Sequence, residues 1–404
     1  MKTPILALAG GPASLSNVST RYAGLALGRA GFFWGTSNAA TQFILPYAGT
    51  ISNLVGRMGN AVATGSYTVS VQKNGADVGS PITATISSGQ TFSDTSTTMG
   101  VSAGDTVNYK IVPSSTPTPT SQTFVQMSCV FECATANRSV IFAVLGSSTA
   151  GSSVYVAPGA KCEASAESFA TVPMPTAGVF ESMYIQTQGS SPGVGNQIVF
   201  TLKVNGSSTP LTTTWSGTDS PSPITGKSVS VSAGDYVTIE CASTGTTIGA
   251  NISLGFQPTT DGESCQFSTI SNNLGSSTVY MNANGRAPNN ISTASDIYNV
   301  APIDFTAKKL AVRLSASPAT TATRTLTLYD NGSTMGVTAP VSSGSQTGSD
   351  PSNTFAVTSG DPIYLKHDFT GAPAAAAVGV GWVSYIAPSA GGSTHANLLL
   401  LGVG

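Results

Sequence analysis

Charge is scarce in this chain. Only 8% of its 404 residues are Asp, Glu, Lys or Arg, against about a quarter in ordinary soluble domains. The 16 basic and 18 acidic residues are scattered and leave a net charge of −2. There is no basic stripe for a polyphosphate backbone to follow, so nucleic-acid binding is not expected. No apolar run approaches the roughly 20 residues that cross a bilayer as a helix, so no membrane span is expected. The opening "MKTPILALAGGPAS" has one Lys and a brief apolar stretch, Ile5–Ala9. That stretch is short for the core of a secretion signal, and no cleaved leader is expected.

The side chains that do chemistry are scarce too. The chain has only two histidines, His367 and His395. By register His367 is a core-facing residue near a strand end. The five cysteines (Cys129, Cys133, Cys162, Cys241 and Cys265) show no C-x-x-C spacing, which argues against zinc. Cys129 and Cys241 fall on inward positions of alternating strands and read as small buried hydrophobes. Cys133 could bridge Cys162 or Cys265, and the sequence does not choose. Glu132, Glu163, Glu167, Glu181 and Glu263 show no repeated carboxylate pairing of the kind glycoside hydrolysis needs. A phosphate loop of the G-x-x-x-x-G-K-[ST] type is missing. The chain is therefore read as non-enzymatic, with no cofactor and no metal.

What is present is Ser, Thr, Gly, Ala and Val, with 40% hydrophobic residues. That is enough apolar side chain to pack a core. There is also a repeat. "VSAGD" occurs at Val101–Asp105 and Val231–Asp235, and "VTSGD" at Val357–Asp361. Asn74-Gly75, Asn205-Gly206 and Asn331-Gly332 precede the three Asp residues by 31, 30 and 30 positions. Pro46, Pro175 and Pro302 stand 28, 30 and 29 residues before the Asn. Three landmarks at near-constant spacing, with a period of about 130 residues, mean three tandem domains.

The register exposes strands. Before each Asn-Gly the inward positions are Val69 and Val71, Phe200 and Leu202, Leu326 and Leu328, with Ser70, Thr201 or Thr327 between them. That is period-two alternation ending in a hairpin signal. After each Asp come Val107 and Tyr109, Val237 and Ile239, Ile363 and Leu365. In the turns themselves Gly permits a positive φ and the Asp side chain can bond nearby amides. A calcium role for Asp105, Asp235 and Asp361 lacks the further oxygen ligands a hard cation needs.

Each copy holds about eight short strands and no helical periodicity. The expected fold is all-β: three tandem antiparallel β-sandwiches, jelly-roll-like rather than immunoglobulin-like on strand count, with short apolar terminal arms. The expected boundaries are an arm over 1–20, repeats over 21–134, 135–259 and 260–387, and a second arm over 388–404. Ile5, Leu6 and Leu8 in one arm and Leu398, Leu399, Leu400 and Leu401 in the other would be an aggregation hazard in the open. They are expected to be assembly residues, buried on their own domains or on neighbouring subunits.

Aromatic clusters offer the remaining candidate for binding. Trp382 falls in an alternating strand and reads as core, and Phe32–Trp34 form a second group. Trp215, in the loop-like "TTTWSGTDSPSP", is the candidate for an exposed contact with a host-surface glycan.

Tandem Ser/Thr/Gly-rich modules with V-x-x-N-G strand ends and V-S-A-G-D-x-V turns resemble bacteriophage virion structural proteins: head decoration (cement) proteins, head fibres and tail fibres. The matching residues are Lys203–Gly206, Val71–Gly75 less closely, and the three Gly-Asp turns. The resemblance spans residues 21 to 387 and marks a style of sandwich. It implies assembly in a host cytoplasm and exposure on the surface of a virion, with major capsid or other virion proteins, or copies of itself, as partners. A decoration protein that stabilises a shell is the first expectation, its three domains standing in for a trimer at a three-fold position. The alternative is a trimeric fibre or spike, or an extracellular bacterial surface adhesin, that binds a host glycan or protein.

Overall fold

The structure, a computed structural model, describes residues 1–25, 35–114, 116–118, 122–147, 151–160, 163–189, 191–218, 221–245, 248–286, 292–294 and 297–388, without the side chains of 8–14, 122–123, 163 and 271–273. The first module runs through β1 (Lys2–Leu15), β2 (Arg21–Ala23), β3 (Phe43–Ile44), β4 (Gly49–Val62), β5 (Tyr67–Lys73), β6 (Thr83–Ile86), β7 (Gly89–Val101), β8 (Thr106–Pro113) and β9 (Gln122–Cys133). The second holds β10 (Ser139–Leu145), β11 (Ser153–Val156), β12 (Glu163–Ala164), β13 (Val172–Pro173), β14 (Gly178–Thr187), β15 (Gly193–Val204), β16 (Ser207–Gly217), β17 (Val229–Val231), β18 (Tyr236–Ser243) and β19 (Ala250–Pro258). The third holds β20 (Glu263–Leu274), β21 (Val279–Asn282), β22 (Gly285–Arg286), β23 (Asn299–Val300), β24 (Phe305–Leu314), β25 (Thr323–Asp330), β26 (Ser333–Ser342), β27 (Thr347–Val357), β28 (Pro362–Thr370) and β29 (Ala376–Tyr385).

Pairing fixes the topology. In the first module one sheet is ordered β1-β9-β4-β7 and the other β2-β8-β5-β6. First pairs with last, second with second-last, and so inward to the β5–β6 hairpin. A long hairpin rolled into two facing sheets is a jelly roll. The second module repeats the scheme as β10-β19-β14-β17 and β11-β18-β15-β16, the third as β20-β29-β24-β27 and β21-β28-β25-β26. Each copy adds a two-residue strand, β3, β13 or β23, on the edge of β8, β18 or β28, and the second and third copies each add another, β12 beside β11 and β22 beside β20. The alternating apolar positions point between the sheets: Val69, Val71, Val107 and Tyr109 lie in one core, Phe200, Leu202, Val237 and Ile239 in the next, and Leu326, Leu328, Ile363 and Leu365 in the third.

The N-terminal residues differ from expectation. They form β1, a full member of the first sandwich, paired with β9 from Lys2↔Glu132 to Leu15↔Gln122. In the other copies the equivalent strands are β10 and β20, which the sequence reading gave to modules. The low charge and Gly-Gly-Pro content of the first strand disguised it as an arm. Only residues 134–138 and 259–262 separate one module's last strand from the next module's first.

Candidate functional site

The recurring motif is used up in holding a turn. Asn74 Nδ2 donates to Asp105 Oδ1 at 2.8 Å, Thr106 N–H donates to Asn74 Oδ1 at 2.8 Å, and Ser102 N–H donates to Asp105 Oδ2 at 2.7 Å. The second module repeats this with Asn205, Asp235, Tyr236 and Ser232 at 2.7, 3.0 and 2.7 Å. Two landmarks some 30 residues apart are thus the halves of one clasp between neighbouring turns. Gly104, Gly234 and Gly360 all take a φ near +90°, which only glycine adopts without strain. Each turn also locks the short edge strand, with Gly104, Gly234 and Gly360 N–H donating to the carbonyls of Leu45, Met174 and Ala301 at 2.9, 2.9 and 2.8 Å. In the third module Pro362 stands where Thr106 and Tyr236 stand, and it has no N–H to give.

The short edge strands carry the contacts between modules, and the contacts are cyclic. β3 of the first module packs against β14 and β19 of the second. β13 of the second packs against β24 and β29 of the third, and β23 of the third packs back on β4 and β9 of the first. The first strands, β1, β10 and β20, touch one another pairwise. Identical elements meeting at a centre and one head-to-tail contact repeated three times describe a ring closed about an approximate three-fold axis.

Each junction is built from named side chains. At the first, Asn251 Nδ2 donates to Gln42 O at 2.7 Å and Ala40 O at 3.1 Å, while Phe43 and Phe142 meet edge to face at 5.1 Å. Tyr47 OH donates to Glu181 Oε2 at 3.1 Å, and Arg138 Nε reaches the same oxygen at 2.6 Å. At the second, Gly379 and Gly381 let backbone meet backbone: a Cβ on either would stand 2.0 Å from Thr171 O or 2.1 Å from Pro173 O. Glu263, wholly buried, there accepts from Thr176 and binds Lys308 and Lys309 at 3.0 and 2.6 Å. Burial alone would raise its carboxyl, but hydrogen bonds from Lys309, Thr176 and Lys308 outweigh that and hold it below the usual range. At the third, Asn53 Nδ2 donates to Pro302 O at 3.2 Å. Arg57 lies over Tyr298 at 5.9 Å, as its counterpart Arg313 lies over Tyr236 at 3.7 Å at the second junction.

The centre is packed. Gln266 Nε2 donates to Pro4 O at 3.0 Å and Asn284 Nδ2 to Leu6 O at 2.9 Å. The space left between Ile5, Ile141, Cys265 and Phe267 is about 20 Å³, room for about one water molecule.

The residues singled out by sequence fare differently. Ile5 and Leu6 are 3% and 0% exposed, Ile5 in the first core and Leu6 in the third. Leu8 pairs with Gln126 within β1, its side chain outside the described part. Leu398, Leu399, Leu400 and Leu401 lie outside the described residues, as do His395, Cys162 and Phe32–Trp34. Trp215 is corrected: it sits on β16, not in a loop, and is 1% exposed in the second core. The exposed platform expected there is not formed, because Trp215 alternates inward with Leu211 and Thr213. Trp382 is core, its Nε1 donating to Ala283 O at 2.7 Å. Cys129, Cys133, Cys241 and Cys265 are buried, and Cys133 and Cys265 are free thiols with no bridge between them. His367 is fully buried beside Arg324, whose Nη1 is 3.0 Å from its Nε2. Burial and then that cation push the imidazole down to about 4.

Among the described residues no group of three or more His, Cys, Asp or Glu is placed to hold a metal ion, and no helix is long and apolar enough to cross a membrane. No family model and no curated protein matches the chain. Among solved structures, one described as "The Triple Jelly Roll Fold and Turret Assembly in an Archaeal Virus" is similar over 85% of this chain and 81% of its own, at 12% identity and a TM-score of 0.17. With so low a score, the fold assignment rests on the strand order itself.

Proposed function

We propose that the chain is a non-enzymatic structural protein of a virus particle, a capsid decoration or cement protein that stabilises a shell by bridging its subunits. The observation that carries this reading is the closed ring of junctions. A head-to-tail contact that closes after three steps gives one polypeptide the outline of a trimer. Such an object offers one near-equal face to each of three neighbours around a three-fold axis, which is what bridging at that position requires. Major capsid or other virion proteins are its partners in this reading. It is made in a host cytoplasm and ends on the particle surface. The buried, free thiols of Cys129, Cys133 and Cys265 suit that route, and a surface of Ser and Thr suits close stacking on a neighbour. A trimeric fibre has less support, since within each chain the modules already cover one another.

The test is mass, then binding. Light scattering on a sizing column should give one chain, 40.6 kDa. The protein added to isolated shells of its virus should saturate at one chain per three-fold position and raise the temperature at which the shells break. A stable mass near three chains, or no binding to shells, would overturn the proposal.

A further inference from the structure

An asparagine followed by glycine is prone to lose its side-chain amide, because glycine has no Cβ to keep its backbone nitrogen away from the asparagine Cγ. The chain has four such pairs, Asn74-Gly75, Asn205-Gly206, Asn284-Gly285 and Asn331-Gly332. The fold ties down three of the four amides at both ends. Asn74 Nδ2 donates to Asp105 while its Oδ1 accepts from Thr106 N–H, and Asn205 is held in the same way by Asp235 and Tyr236. Asn284 Nδ2 donates to Leu6 O at 2.9 Å, and its Oδ1 accepts from Phe267 N–H at 3.0 Å. The Asn331 amide has neither tie among the described residues. Pro362 stands where the other turns supply an N–H.

We propose that Asn331 is a site of spontaneous deamidation, which the fold leaves open while it closes the other three Asn-Gly pairs. Backbone and exposure do not separate Asn331 from its counterpart Asn205. Their φ angles are 47° and 52°, those of Gly332 and Gly206 are 83° and 80°, and both asparagines are exposed. Local sequence does not separate them either, since both are followed by Gly-Ser. What differs is the pair of hydrogen bonds that has to break before Cγ can turn towards the glycine nitrogen. Two such bonds lower the attack-ready population by at least about tenfold.

In the reaction the Gly332 nitrogen gives its proton to hydroxide and attacks Asn331 Cγ. The new N–C bond closes a cyclic imide as the Cγ–Nδ2 bond breaks, and ammonia leaves with a proton taken from water. Water then opens the imide at one carbonyl or the other, leaving aspartate or isoaspartate at 331. One water is consumed, one ammonia is released, and nothing is oxidised or reduced. The product is a third carboxyl next to Asp330, which is buried with its Oδ1 unpartnered and already feels the charge of Asp361. Isoaspartate also adds a backbone carbon to the tight turn between β25 and β26. The third sandwich is therefore the one that loosens as the chain ages. None of this rests on the virion reading.

Peptide mapping by mass spectrometry tests this on the full chain, incubated folded at mildly alkaline pH and, in parallel, unfolded in urea. In the folded chain Asn331 should convert at least about tenfold faster than Asn74, Asn205 or Asn284. In urea the four should convert at similar rates. A folded Asn331 no faster than Asn205, or a lead over Asn205 that persists undiminished in urea, would overturn the proposal. Asp235→Ala supplies the converse, because it removes the acceptor of the Asn205 amide. Asn205 should then convert several-fold faster, with the Asn74 rate unchanged as the sign that the fold is intact. An Asn205 that stays slow while Asn74 is unchanged would mean that the clasp does not protect. The loosening is read from urea midpoints: a chain aged to full conversion at 331 should unfold at lower urea, and an Asn331→Gly chain aged beside it should not change. An aged parent with an unchanged midpoint would overturn that part.

Discussion

In the second module a single asparagine ties two neighbouring turns together. Asn205 adopts a φ of 52° and bonds both Asp235 and the N–H of Tyr236. Asn331 has a φ of 47°, but the residue after Asp361 is Pro362, which has no N–H to offer. Glycine accepts the backbone angle at either place without strain, so it removes only the side-chain bonds. Asn205→Gly should therefore cost about 1 kcal/mol more than Asn331→Gly in denaturant unfolding; equal costs would mean the clasp contributes nothing. The third module has also lost symmetry in its titrating groups. Asp330 is pushed up to about 6, by burial first and by the charge of Asp361 second, while His367 is pushed down to about 4. The signs oppose. Folded His367 binds its proton only below about 4, so acidification from pH 6.5 to 4 favours the unfolded chain, by about 3 kcal/mol. Folded Asp330 holds its proton up to about 6, so its contribution is complete below about pH 4, is lost as the pH rises through 6, and is of similar size. The two largely cancel in the parent chain. Relative to it, His367→Gln should gain stability on acidification from pH 6.5 to 4 and Asp330→Asn should lose it, as read from urea midpoints. Parallel shifts in both variants would refute the assignment.

At the scale of the element, the last strand of each sandwich shows what alternation alone hides. β9, β19 and β29 are buried on both faces over most of their length. Their inward positions are the expected Val125, Met127 and Cys129, Ile252, Leu254 and Phe256, Val378, Val380 and Trp382. Their outward positions are Gln126 and Ser128, Asn251 and Ser253, Gly379 and Gly381, small or amide side chains that read as solvent-facing but are covered by the neighbouring module. Gly379→Ala would press a methyl on a backbone carbonyl that has no rotamer to move to. It should cost about 2 to 3 kcal/mol, in the manner of an overpacked core. Hydrogen exchange should quicken first at the amides of Val172 and Met174, across the junction, and later at β24 beside it. Loss confined to the third sandwich would place the strain elsewhere. This is also where legibility in sequence ends. Strand positions, turns and the triple repeat follow from local rules, because period two and the Asn-Gly signal need only the nearest neighbours. β1 was missed because Pro4 and the Gly-Gly-Pro stretch suit an edge that other modules cover. Trp215 was misplaced because the Ser/Thr/Pro-rich run after it extended a loop reading back over β16. No local rule shows that a Ser or Gly is outward yet buried.

Across the whole molecule, closure of the ring makes the order of the modules a matter of convenience. The native connections, residues 134–138 and 259–262, join a last strand to the next module's first strand, β9 to β10 and β19 to β20. Three-fold symmetry places β29 in the same relation to β1, a step the chain does not take covalently. β23 already packs on β4 and β9, so the noncovalent part of that third junction is complete. A circular permutant that starts at Asp261, runs through residues 387–404 into Met1 and stops at Thr260 keeps every strand pair and changes one connection. It should fold to a monomer of unchanged mass, with a stability within about 1 kcal/mol of the parent, because lengthening a loop changes closure entropy only slowly. The control cuts elsewhere: a permutant opened between Asn331 and Gly332 severs a hairpin inside a sandwich and should lose far more. If opening the chain at Asp261 proves as damaging as opening that hairpin, the second connection holds the modules together and the junctions alone do not. If the Asp261 permutant folds as the parent does, three sandwiches hold one another as three subunits would, and the ring is the structural unit that any partner meets.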